Sequence, residues 1–246
     1  MKKIEEYRQK LRALADWDAY LLAESGLPGP RGNIELAQAV ADLGSVELFE
    51  RYAALDAKLA PTGGREEFLA FCGVLGYGRL LAEGDRSRLN ALRGFASDPR
   101  WRLREAVAMA LQRWGDADLD ALLGEMPSWS QGNAWEQRAA AAGLCEPRLL
   151  RKPASARAVL CILDEITESI RAATNRKDSG FQTLRQGMGY CWSVAVAALP
   201  EAGLPLMEKW LRVDDPDVRW MMRENLKKNR LVRIDRAWVE AWQKRF

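Results

Sequence analysis

Residues 98–111 read DPRWRLREAVAMAL, and the spacing of their apolar side chains decides the fold class. Leu103, Ala106, Val107, Ala110 and Leu111 stand at offsets 0, 3, 4, 7 and 8, which is one stripe along an α-helix. The same offsets return in Gln137, Ala140, Ala141, Leu144 and Cys145, and in Leu184, Gly187, Met188, Cys191 and Trp192. They return once more in Val218, Met221, Met222, Asn225 and Leu226. In each copy an arginine follows the first stripe position, giving Arg104, Arg138, Arg185 and Arg219 at intervals of 34, 47 and 34 residues. Small residues in a stripe let helices approach closely, and stripes repeated at such intervals predict helical hairpins stacked so that each buries its neighbour's apolar face.

The rest of the chain agrees with an all-α class. Alternating β-branched runs are missing, while Ala, Leu, Arg and Glu dominate stretches between Gly and Pro punctuation. Helices are predicted over Lys2 to Glu24, Ile34 to Leu43, Val46 to Leu59, Arg65 to Ala82, Arg86 to Phe95, Arg100 to Trp114 and Ala117 to Gly124. Further ones follow over Ala134 to Leu144, Ala156 to Thr174, Phe181 to Ala198, Leu204 to Leu211, Pro216 to Asn229 and Arg233 to Arg245. PSWSQGNAW (127–135) and RKDSG (176–180) read as loops between layers.

DPRWRLREAVAMAL and DPDVRWMMRENL (215–226) resemble the D-P-x-x-V-R-x-x-A-x-x-A-L signature of HEAT repeats. The resemblance covers residues 98–126 and 212–246 best and is degraded in NAWEQRAAAAGLC and QTLRQGMGYCW. It implies an α–α superhelix, a HEAT-like solenoid of about five to six stacked hairpins. No low-complexity linker divides the chain, so 1–246 reads as a single repeat domain. Residues 1–95 would supply divergent helices or a cap, and 96–246 the clearer repeats.

Composition narrows the function classes. The chain has 246 residues, 48% of them apolar, with 37 Lys and Arg against 34 Asp and Glu. A balance of +3 does not by itself require an anionic partner. With no histidine anywhere, histidine-based triads, Cys–His nucleophiles and H-E-x-x-H zinc sites are excluded. GYG and GMG fail the dinucleotide-binding spacing, no phosphate-binding loop motif occurs, and no cofactor or metal is indicated. Carboxylate pairs such as Glu66 with Glu67, Asp164 with Glu165 and Asp214 with Asp215 read as solvated helix surface or N-cap charges. Cys72, Cys145, Cys161 and Cys191 are widely spaced in apolar helical settings and read as buried reduced thiols. The absence of a signal-like or membrane-length apolar run leads to the expectation of a cytoplasmic protein with no membrane partner.

The repeated arginines can be read in two ways. In a structural ladder each stem covers the helix seam and its guanidinium meets a carboxylate of the next repeat, with Asp98 and Asp215 as acidic members. In a functional row, Arg138, Arg185 and Arg219 would face a concave surface and grip phosphate. Of the ten tryptophans, most fall at helical positions suited to filling gaps between layers. Trp129 lies in the expected loop, where an exposed stacking role competes with an anchoring one. Arg219 with Trp220 forms the best arginine–aromatic pair, and the chain from Leu226 onward holds seven basic residues against Asp235 and Glu240. Lys227, Lys228 and Arg230 lead that cluster, either as solvated helix-end charges or as contacts to a phosphate backbone.

Two functions are expected from these residues. The first is a non-catalytic binding module that offers its concave surface to a protein or nucleic acid. The second comes from a partial resemblance to bacterial DNA-alkylation-repair HEAT-like glycosylases, which implies DNA binding by a basic concavity, a tryptophan cradle and an assisting aspartate. Trp220 beside Arg219 suits that cradle. SWSQGNAWEQRAA supplies Trp129, Trp135 and Arg138 but no aspartate, and Glu136 follows Trp135 directly.

Overall fold

The computed structural model describes residues 2–245; among these every regular element is an α-helix and there is no strand. The helices divide between two compact units, Met1–Ala117 and Asp118–Phe246.

Unit 1 holds α1 (Lys2–Arg12), α2 (Asp18–Glu24), α3 (Ile34–Leu43), α4 (Val46–Ala53), α5 (Glu66–Ala82), α6 (Leu89–Phe95) and α7 (Trp101–Ala117). α1, α3, α5 and α7 pack in a row, and α2, α4 and α6 lie against α5. α5 is therefore enclosed, and every residue from Glu67 to Gly78 is buried, as expected of a helix with no polar face. Gly78 lets α7 come close, because a Cβ there would stand 2.5 Å from the Ala110 Cα.

The two largest boundary differences in unit 1 each fall where a side chain captures a helix end, while α6 starts at Leu89 and α7 ends at Ala117, each three residues later than expected. The predicted helix from Lys2 to Glu24 breaks after Arg12, where Trp17 Nε1 donates to the Leu11 carbonyl at 2.9 Å. The one from Val46 to Leu59 stops at Ala53. There Arg100, 2% exposed, donates to the carbonyls of Leu55 at 2.8 Å and Ala60 at 3.3 Å, and Asp56 caps the following turn.

Unit 2 holds α8 (Leu119–Ser130), α9 (Ala134–Leu144), α10 (Pro153–Ala172), α11 (Ser179–Ala198), α12 (Pro200–Leu211), α13 (Pro216–Leu226), α14 (Asn229–Ile234) and α15 (Arg236–Gln243). α9, α11 and α13 form one layer and α8, α10 and α12 a second, with each even-numbered helix packed on the odd one that follows it in the chain. α14 and α15 close the end of the unit against α13. Asp118, Asn133, Asp178, Asp215 and Asp235 start helices here by accepting from backbone N–H groups one turn on.

α10 and α12 begin earlier than expected, at Pro153 and Pro200, because proline suits the first helical turn, whose N–H groups have no partner to lose. α8 runs through Pro127 to Ser130, so the expected loop over 127–135 is mostly helix. Trp129 is fully buried there, with Nε1 3.2 Å from Glu125 Oε1. Burying an indole contributes roughly 4–6 kcal/mol at about 25 cal/mol per Å², more than the ~3 kcal/mol of an interior proline.

The stripes seen in the sequence are the seams of both units: all their members are buried except Gly187, which is half-buried. Cys72, Cys145 and Cys191 are buried free thiols, and burial pushes the first two well above the usual range. Cys161 departs from expectation, because α10 turns it to solvent. Among the described residues, no helix is long and apolar enough to cross a membrane.

Candidate functional site

Arg185 and Trp220 meet where α11 and α13 of unit 2 pack, with Arg219 next to Trp220 on α13. α13 starts at Asp215, whose carboxylate accepts from the N–H groups of Asp217 at 3.0 Å and Val218 at 3.1 Å. The same carboxylate takes both Nη atoms of Arg176, at 3.0 and 2.6 Å. Arg176 also reaches Asp217 Oδ2 at 2.9 Å, and Asp217 Oδ1 lies 2.7 Å from Arg185 Nε. A chain of alternating charge thus runs Asp215, Arg176, Asp217, Arg185.

The electrostatics of the chain follow from its contacts. Desolvation is the largest influence on Asp215 and pushes it up. The hydrogen bonds and charge of Arg176, with those of the two N–H groups, outweigh it, and the carboxyl ends below its ordinary range. Arg176 is raised, first by its hydrogen bond to Asp215.

Arg185 ends the chain over the Trp220 ring, its guanidinium carbon 3.9 Å from the ring centroid. Gly189, one turn along α11, makes room: a Cβ there would meet Glu224 Cβ at 3.2 Å and the indole at 3.3 Å. The tryptophan singled out in the sequence is therefore paired with the arginine of the preceding stripe instead of its neighbour Arg219. Arg219 turns outward to Asp214, 3.6 Å away and 95% exposed.

Arg219, Trp220 and Arg223 line a shallow pocket of about 340 Å³ together with Asp214 and Pro216. Arg223 was legible in the sequence, since it stands one helical turn beyond Arg219 on the same face. Arg176 carried no such signal, because its partner Asp215 is 39 residues away.

A second cationic group is built around Tyr190, 43% exposed on α11. Arg230 lies 4.6 Å from its ring centroid and donates to its hydroxyl at 2.5 Å, and Lys228 stands 5.8 Å from the ring. Lys227 pairs with Glu224 at 2.5 Å. Arg138 sits half-buried on α9 with its stem alongside Gly187 of α11. Trp129 stands apart: with no exposed surface it offers no face to a base, which corrects the stacking role weighed for it.

The ladder expectation holds for Arg185, which meets Asp217 of the next stripe, and for Asp215, whereas Asp98 finds its partner two residues on. Asp98 and Asp215 are both ion-paired, but with Arg100 and Arg176, which precede their helices. Arg104 instead donates to the carbonyls of Asp98 and Pro99. Among the described residues no group of three or more Cys, Asp or Glu side chains could hold a metal ion.

No protein-family model, curated protein or solved structure matches the chain.

Proposed function

We propose that the chain is a non-catalytic helical-repeat binding module of HEAT-like build, whose unit 2 offers the Arg219–Trp220–Arg223 face of α13 to an anionic macromolecule. The observation that carries this reading is that pocket, where two outward arginines flank an aromatic ring. The layering of α9, α11 and α13 over α8, α10 and α12 supports the HEAT-like build. Unit 2 also holds the whole charge excess, with 20 Lys and Arg against 17 Asp and Glu, whereas unit 1 has 17 of each.

The carboxylates argue for binding without chemistry. Asp215 and Asp217 are held by arginines, and Asp214 is in open solvent. A general base or an electrostatic partner for a developing cation works best desolvated and unengaged. The base-releasing alternative draws on the Arg185–Trp220 stack as an aromatic cradle, but the carboxylates near it, Asp217 and Glu224, are engaged by arginines and by Lys227.

The test is fluorescence anisotropy of the full chain with labelled duplex DNA and with polyglutamate across a salt series, alongside a methylated-base release assay. Binding to at least one polyanion is expected, weakening steeply with salt and falling about tenfold in Arg219→Ala/Arg223→Ala, without base release. Indifference of both polyanions to the double variant would remove this face as the site. Release of a base would install the enzymatic reading instead.

A further inference from the structure

Unit 1 contains a cleft that the sequence did not announce. Phe68 and Phe71 of α5, Trp101 and Met109 of α7, Ile34 of α3 and Leu27 of the preceding loop wall about 220 Å³. Arg31, Arg102 and Glu105 supply its polar edge. Two features set it apart from a packing gap. Trp101 is one of three large apolar side chains left exposed among the described residues, at 44%, and it stands at this cleft. Arg102, with its side chain only 10% exposed, lines the wall with a buried Nε that has no hydrogen-bond partner among the described residues.

The rest of Arg102 is firmly held. Nη1 donates to Glu67 Oε2 at 3.0 Å, and Nη2 to the Gly29 carbonyl at 2.8 Å. Glu67 Oε2 also accepts from the Gly63 N–H at 2.8 Å. The Gly29 loop is fastened in turn: the Leu27 N–H donates to Ser25 Oγ at 3.1 Å, the Asn33 N–H to the Ser25 carbonyl at 2.8 Å, and Asn33 Nδ2 to Tyr7 Oη at 2.9 Å. The guanidinium is therefore pre-positioned, so a ligand need not order it on arrival.

We propose that this cleft binds a neutral, largely apolar aromatic small molecule that carries one carbonyl or hydroxyl oxygen, which accepts from the Arg102 Nε–H. Neutrality follows from the charges at the cleft, where Arg31 and Arg102 are matched by Glu105 and by Glu67 behind the wall, so that a further full charge would lack compensation. Aromaticity follows from the walls, since Phe68, Phe71 and Trp101 present ring faces and edges to a planar guest. A single acceptor matches Nε, the one Arg102 nitrogen without a partner, and an oxygen there removes the cost of leaving a buried N–H unmet.

The experiment uses the full chain and three probes of one shape: 2-acetylnaphthalene, 2-ethylnaphthalene and 2-naphthoate, followed by calorimetry and ligand-observed NMR. The ketone is expected to saturate one site below about 1 mM and to bind at least about fivefold more tightly than the hydrocarbon and the anion. Met109→Trp, which fills the cleft from a half-exposed position, and Trp101→Ala, which opens its wall, should each weaken the ketone about tenfold with unchanged helical circular dichroism. The proposal is overturned by any of three results: no saturation by the ketone, equal or tighter binding of the hydrocarbon or naphthoate, or indifference to both substitutions. None of these bears on polyanion binding at α13.

Discussion

Unit 1 balances its charges and takes two ion pairs inside, whereas unit 2 carries the net positive charge and keeps its pairs near the surface. Glu67 has no exposed side chain and its partner Arg102 is 10% exposed; Arg100 and Asp98 stand at 3% and 11%. In unit 2 the best-covered pair of the α13 cluster, Arg185 with Asp217, stands at 20% and 16%, and the Arg219–Asp214 pair at 42% and 95%. Charges in the interior fix loops and helix ends to one another, while charges at the rim stay open to exchange partners. The same helical stripe thus supports a pre-set small cleft in one unit and an adaptable polar face in the other.

Substitutions can break that contrast. The largest effect is expected from Glu67→Ala, which leaves Arg102 buried without its counter-ion; urea unfolding should report a loss of about 3–5 kcal/mol. The double variant Glu67→Leu/Arg102→Met should recover most of it. If Glu67→Ala costs no more than a surface change, the interior pair has no special weight.

Asp215→Ala comes next, with an expected loss of about 1–2 kcal/mol from a missing N-cap and a released Arg176. The pH dependence sharpens this case. A carboxyl held below its unfolded value of about 4 stabilises fully above that pH, and its contribution disappears as pH falls through the lower folded value. Wild type and Asp215→Ala should therefore converge in stability below about pH 4 and keep a constant gap at neutral pH. A gap that widens on acidification would contradict the sign.

The smallest effect belongs to Arg219→Ala, expected to change stability by less than about 1 kcal/mol because its carboxylate partner is solvated. Polyanion affinity should fall all the same, separating binding from folding at one residue. A drop in melting temperature comparable with that of Asp215→Ala would return Arg219 to the structural ladder.

What could be read in advance follows from the range of each interaction. The stripe of Leu103 to Leu111 was legible because helical periodicity is local, and so was the cap at Asp215. α3 and α9 were bounded correctly over Ile34 to Leu43 and Ala134 to Leu144. Trp129 was misplaced because Pro127 suggests a break, and only the surrounding helices make it worth extending α8 past it. The Arg102–Glu67 pair joins residues 35 apart and the Arg185–Trp220 stack joins neighbouring stripes, so neither leaves a pattern within one helix. Arg223 could have been found from its register with Arg219. The cleft beside Trp101 could not, since it is assembled from α3, α5, α7 and a loop.

The enclosure of α5 has a kinetic consequence. Its backbone N–H groups are covered by α2, α3, α4, α6 and α7, so no opening of a single neighbour brings them to water. Deuterium should therefore enter the Phe68 to Leu81 amides last in unit 1, at rates set by unfolding of the whole unit, while α14 and α15 label early. A slow central helix ringed by faster ones would make α5 the timekeeper of its half of the molecule.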